Sequence, residues 1–244
     1  MTPRTSRILI VALSTVLVAS VMGCGIIGKV QSVANAVKTL GDMADRLKAA
    51  DNLTYTAKYN VDGADPVTVS QQPPNSAIIG KDGRFIVTPD ATFLCSTEKA
   101  VLTCQKSPSV GADQVGAQDA SLIAGIAGQG FISPELALGL ILAASVVPGA
   151  KVEQSNKTIA GQKSLCATAS NLDAAASPGD TSGPKEFSVC VADSGVLTSF
   201  TGTDGDGSHK GITMTSFSTT ADATAFAPPP GAKIVDVTQL ASPK

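Results

Sequence analysis

Between Asn52 and Phe217 much of the chain alternates apolar with polar residues, and this period of two constrains the fold more than any other feature. Leu53, Tyr55, Ala57, Tyr59 and Val61 alternate with Thr54, Thr56, Lys58 and Asn60. Successive side chains of a strand point to opposite faces, so this is a strand with one buried face. Gly63-Ala64-Asp65 marks a turn, and Pro66–Gln71 returns with Val67 and Val69 inward until Gln72-Pro73-Pro74-Asn75 breaks it. Ser76–Gly80 and Arg84–Thr88 flank Lys81-Asp82-Gly83, a short hairpin signal. Ala91–Cys95 returns as Val101–Cys104, so residues 52–106 read as an antiparallel meander. Strands resume over residues 157–217 as Lys157–Ile159, Lys163–Ser170, Glu186–Ala192, Val196–Thr201 and Gly211–Phe217. Asp173–Pro184, small, polar and Pro/Gly-containing, reads as a surface loop.

Two stretches follow a different period. Over residues 26–49, Ile26, Ile27, Val30, Val33, Ala34, Val37, Leu40, Ala44 and Leu47 recur at the spacing of one helix face. That stripe suits packing on a sheet, with a bilayer as the other surface it fits. Residues 117–147 form the second stretch. Ala117–Ala127 reads as a helix carrying Leu122, Ile123 and Ile126; Gln129-Gly130 breaks it. Ser133-Pro134-Glu135 then supplies a cap, a proline at the first helical position and an acid in the first turn. The helix that follows, Leu136 to Val147, is apolar all round until Pro148-Gly149 ends it. It is shorter than the roughly 20 residues needed to span a bilayer. Such a helix is either enclosed by protein or faces something apolar.

The N-terminus carries targeting chemistry. Arg4 and Arg7 precede an apolar run from Ile8 to Met22 that closes on Gly23-Cys24, the layout of a secretory signal. Val21-Met22-Gly23-Cys24 resembles the bacterial lipobox. The resemblance implies cleavage of residues 1–23 and lipid on the Cys24 thiol, leaving residues 24–244 as a single domain anchored on the extracytoplasmic face of the cell membrane. Two or more acyl chains anchor stably, each buried methylene contributing about 0.8 kcal/mol. Cys95, Cys104, Cys166 and Cys190 then remain, an even number in an exported chain. Three pairings are open, and sequence proximity favours Cys95–Cys104 with Cys166–Cys190. Their spacing is too long for a four-cysteine zinc site.

Loss of Arg4 and Arg7 leaves 16 cations against 20 acids, a formal charge of −4, with no basic block for nucleic acid. The sole histidine, His209, sits in Thr203-Asp204-Gly205-Asp206-Gly207-Ser208-His209. A Gly-rich turn holds a catalytic triad poorly. Asp204, Asp206 and Ser208 have the spacing that opens a calcium loop, but Thr215 occupies the position of its bidentate glutamate. No Walker, Rossmann or HExxH motif occurs. The expectations are therefore no catalytic residue, no metal and no cofactor.

The order of lipobox, helix, meander, central apolar helices, second meander and terminal Phe226-Ala227-Pro228-Pro229 resembles the LolA/LolB-like fold, particularly LprG/LppX-type lipoproteins. Ala160-Gly161-Gln162 and Asp193-Ser194-Gly195-Val196-Leu197 look like features of that group. The resemblance implies an α+β chain: a strongly curved antiparallel sheet, an incomplete barrel, wrapped around an N-terminal helix and a central apolar helix pair. It further implies acylated lipid as cargo in an apolar cavity near Leu122, Ile126, Leu136, Leu140 and Ile141, with Val33, Val37 and Leu40 helping to close it. A filled core is the other reading of the same residues. The related RseB-type fold regulates a membrane signalling protein, so an envelope protein-interaction or stress-sensing module is the alternative function.

Overall fold

A computed structural model describes residues 38–39, 41–47, 49–98, 101–109, 134–145, 147–172 and 184–237. Helix α1 is helical at 38–39, 41–47 and 49–50, and α2 is Pro134–Ser145. The strands are β1 Tyr55–Val61, β2 Val67–Gln72, β3 Asn75–Ile79, β4 Gly83–Val87, β5 Ala91–Glu98 and β6 Val101–Pro108. They continue as β7 Lys151–Ile159, β8 Gln162–Ser170, β9 Pro184–Ala192, β10 Leu197–Asp204, β11 His209–Ser218 and β12 Lys233–Asp236, with a 3₁₀ turn at Ala223–Phe226. Expectations for Val21, Met22, Gly23, Cys24, Val33, Val37, Leu40, Leu122 and Ile126, for helix 117–127 and for loop 173–183 lie outside the described residues.

All strands join one sheet in the order β12-β6-β5-β4-β3-β2-β1-β11-β10-β9-β8-β7. Every pairing is antiparallel except β12 with β6, which is parallel. The sheet is large, curved and unclosed: β12 and β7 are its two ends, and the curl brings β7 close to β11. Period two sets the inner face. Tyr55, Ala57, Tyr59 and Val61 are buried while Lys58 and Asn60 are exposed. Leu165, Ala167 and Ala169 of β8, Val189 and Val191 of β9, and Ile212 and Met214 of β11 join the same core. Met43 and Leu47 of α1, with Ala137, Ile141 and Ala144 of α2, pack into it.

Three corrections follow. The strand expected at 157–159 runs from Lys151, and its residues between Glu153 and Thr158 are all exposed. As an edge strand it buries little, so apolar alternation was never required of it. The first meander extends beyond residue 106 to Pro108, and the second beyond 217 to Ser218. After the terminal Pro-rich stretch the chain forms a further strand that no expectation assigned, β12, Lys233–Asp236, beside β6. Elsewhere the turns stand where expected. Ala160 and Gly161 have φ of 48° and 76° and join Ile159 to Gln162, as a two-residue primed turn requires.

Candidate functional site: a half-open apolar row

Strand register assembles one row of side chains across the inner face. Ala57 lies opposite Val69, Val69 opposite Ile78, Ile78 opposite Phe85, and Phe85 opposite Leu94. Burial falls along this row. Ala57 is fully buried; Val69, Ile78 and Phe85 are half-buried, and Leu94 is 36% exposed. With strands about 4.8 Å apart, the four residues from Val69 to Leu94 span roughly 14 Å of apolar surface. The neighbouring row is polar apart from Val87: Gln71, Ser76, Val87, Thr92 and Ser107 are paired in turn. Among these the Thr92 hydroxyl is buried without a hydrogen-bond partner. Neither row holds an ionisable group, so this surface suits uncharged, chain-like matter. Burying a charge there is costly, whereas burying a methylene is favourable.

The opposite face of β3 and β4 is covered. The chain after β11 crosses it as a strap. Thr56 Oγ1 donates to Thr220 O at 2.8 Å, Asp222 accepts from Thr224 N at 2.9 Å, and the 3₁₀ turn contacts β3 and β4. Beneath lie Ala77 and Ile86, fully buried. The strap ends as β12, where Lys106 and Asp236 pair at 3.4 Å.

The described part of helix α1 is held at both of its ends. Thr39 Oγ1 donates to Gln154 of β7 at 3.0 Å. Arg46 pairs with Asp193 at 2.7 Å and reaches Val191 O at 3.4 Å. Gln71 Nε2 donates to Ala50 O at 2.6 Å and Leu53 O at 3.2 Å. It thereby ties the end of α1, where Ala50 O also accepts from Leu53 N at 2.9 Å, to β2. Gly195, φ +89°, lets the β9–β10 turn meet this helix. Buried Tyr59 donates to Leu197 O at 2.7 Å. Burial, then the neighbouring Tyr55, pushes the Tyr59 hydroxyl well above its usual pKa.

Of the sequence-derived cavity residues, Leu136, Leu140 and Ile141 lie on α2. Ile141 is fully buried and Leu140, about 100° around the helix, is 36% exposed at the edge of the buried stripe. Disulfides join Cys95 to Cys104 and Cys166 to Cys190, each linking directly opposed residues on neighbouring strands. The Asp204–Ser208 stretch is the β10–β11 hairpin turn. Asp206 accepts from Ser208 N at 2.8 Å, which lowers its pKa, and Asp204 accepts from Ser208 Oγ at 3.2 Å. His209 Nδ1 lies 3.0 Å from Thr203 Oγ1 at the exposed end of that hairpin. Sequence reading singled out none of Ile78, Phe85, Leu94 or Thr92. Their shared face follows from register across three strands, which alternation within one strand does not give.

Among the described residues no helix is long and apolar enough to cross a membrane. No family model matches this sequence, and no curated protein matches it. Among solved structures, the fold is similar to an uncharacterised conserved protein from Thermus thermophilus, with 10% identity, 80% of this chain and 98% of that chain covered, and a TM-score of 0.45. It is similar also to lipoprotein LppX of Mycobacterium tuberculosis, with 14% identity, 72% and 93% of the two chains covered, and a TM-score of 0.37.

Proposed function

We propose that this chain is an exported lipoprotein, anchored through Cys24, that binds lipid acyl chains without catalysing a reaction. The observation that carries this reading is the half-open row Val69–Ile78–Phe85–Leu94 on the inner face of the sheet. An acyl chain laid along it removes apolar surface from water on both partners, at about 25 cal/mol per Å². The signal segment and lipobox support delivery to a membrane, where acyl chains are found. Exchange, in this reading, moves a chain between the bilayer and the sheet, with α2 moving to admit it. The chain carrying Cys24→Ser is purified, extracted with organic solvent and titrated with a fluorescent fatty-acyl probe. Co-purified lipid or saturable uptake is expected, with Phe85→Ser weakening the probe roughly tenfold, about 1.4 kcal/mol. A protein that carries no lipid and takes up none ends the proposal.

A second reading, an envelope protein-interaction or sensing module, draws on β7. Among the described residues no strand pairs with its outer edge, and such an edge is a template for strand addition. Cross-linking in whole cells separates the two: one stoichiometric protein partner with an empty lipid extract favours the module.

A further inference from the structure

Helix α2 resolves into two apolar sides. Ala137, Ile141 and Ala144, spaced four and three residues apart, are buried against the core. Gly139, Leu140, Leu142 and Ala143 are exposed, Leu140 by 36% and Leu142 by 53%. A helix on a soluble surface normally presents charge to water. Among the described side chains of this exposed side none is charged; Glu135, in the first turn and seven residues before Leu142, is the only ionisable residue in the helix. The place of the helix in the fold narrows what covers it. It packs on β7, β8 and β9, and Thr39, at the N-terminal end of the described part of α1, bonds Gln154 of β7. The chain leading back to Cys24 therefore departs from the same end of the sheet that carries α2. Cys24 is 14 residues before Lys38, about 50 Å at full extension and about 21 Å if helical.

We infer that the exposed side of α2 seats on the bilayer to which Cys24 is anchored. The inference rests on the lipoprotein reading and goes beyond it by naming the surface that meets the membrane. A short tether holds the domain near the bilayer and raises the local concentration of that surface. The leucine-bearing helix face then sinks into the headgroup–acyl boundary, as interfacial helices do, with the first turn and its Glu135 at the headgroups. The geometry sets α2 between the bilayer and the core, where it is placed to pass acyl chains inward.

The protein has no tryptophan, so single-tryptophan reporters are direct. Leu142→Trp and Leu140→Trp are compared with Val101→Trp, which replaces a residue 54% exposed on β6, at the other end of the sheet. Each acylated mature chain is reconstituted into phosphatidylcholine–phosphatidylglycerol vesicles containing brominated lipid. Emission at 142 and 140 should shift to the blue and be quenched at least twofold more than at 101. Equal quenching at all three positions overturns the inference. So does a blue shift that appears without vesicles and grows with protein concentration, which marks a second copy as the occupant. Mass spectrometry of the same samples reads Cys24 acylation separately. An unacylated Cys24 defeats the anchor and the seating with it, whereas an acylated chain with unquenched tryptophans defeats the seating alone.

Discussion

Replacing Gly195 with alanine should loosen α1 from the sheet. Gly195 has φ +89°, a conformation that costs an L-residue about 1–2 kcal/mol. A Cβ built there overlaps Arg46 O and lies 2.8 Å from Ala50 N. Both are backbone atoms, so no rotamer change relieves the contact and the whole last turn of α1 must move. Overpacking of this kind typically costs about 1–3 kcal/mol, and the shift also strains the Arg46–Asp193 pair and the Gln71 bonds to Ala50 and Leu53. The expected loss is about 2–5 kcal/mol, against a native stability on the order of 5–15 kcal/mol. Gly63→Ala is the control. Its φ is +75° and nothing lies within 4 Å of the added Cβ, so it bears the backbone strain of about 1–2 kcal/mol alone. Urea unfolding followed by circular dichroism reads both, with the Gly195→Ala midpoint lower than the control's by roughly 1 M at an ordinary m-value. If the two variants unfold at the same urea concentration, α1 does not press on the β9–β10 turn and the reasoning fails.

The disulfides should differ in weight. Loops closed over 9 and 24 residues restrict the unfolded chain by about 2.6 and about 3.4 kcal/mol. The Cys166→Ala/Cys190→Ala double variant should therefore unfold at lower urea than Cys95→Ala/Cys104→Ala, and the reverse order counts against the entropic account. Tyr59→Phe leaves Leu197 O without its donor and should cost about 1–2 kcal/mol. The folded Tyr59 pKa lies above its value of 10.0 in the unfolded chain. Its contribution is thus complete below pH 10 and is lost as pH rises from there through the folded pKa. Unfolding free energies measured from pH 8 to 11 should fall more steeply for the parent than for Tyr59→Phe; parallel slopes would show that Tyr59 titrates as freely folded as unfolded.

Much of this architecture was legible in the sequence because its causes are local. Alternation in residues 53–61 identifies β1 and its buried face, since a strand side chain cannot change sides without shifting by one residue. Gln72-Pro73-Pro74-Asn75, Lys81-Asp82-Gly83 and Ala160-Gly161 stop or turn strands through their own backbone preferences. Pro134 and Pro148 bracket α2 for the same reason. The cysteine pairings expected from proximity also stand, because each pair belongs to strands that are neighbours in sequence. The edge strand β7 was less legible. A strand with little to bury needs no apolar rhythm, and Glu153-Gln154-Ser155-Asn156 has none.

The site was decided at a longer range. Strands β3 to β5 carry apolar residues on both faces: Ile78, Phe85 and Leu94 on one, Ala77, Ile86 and Phe93 on the other. Alternation cannot say which set is covered, because each is a valid inner face for an isolated sheet. Coverage comes from the strap after β11, more than 100 residues away along the chain, which closes over Ile86 and leaves Phe85 half-open. The same applies to Arg46, Asp193 and Gly195, whose meeting requires β9, β10 and α1 to be in place. Where strands and helices form, and which residues share a side of each, thus follows from local sequence. Which side stays open to a ligand follows from tertiary packing, because burial depends on what the rest of the chain brings against a surface, and local period carries no information about that.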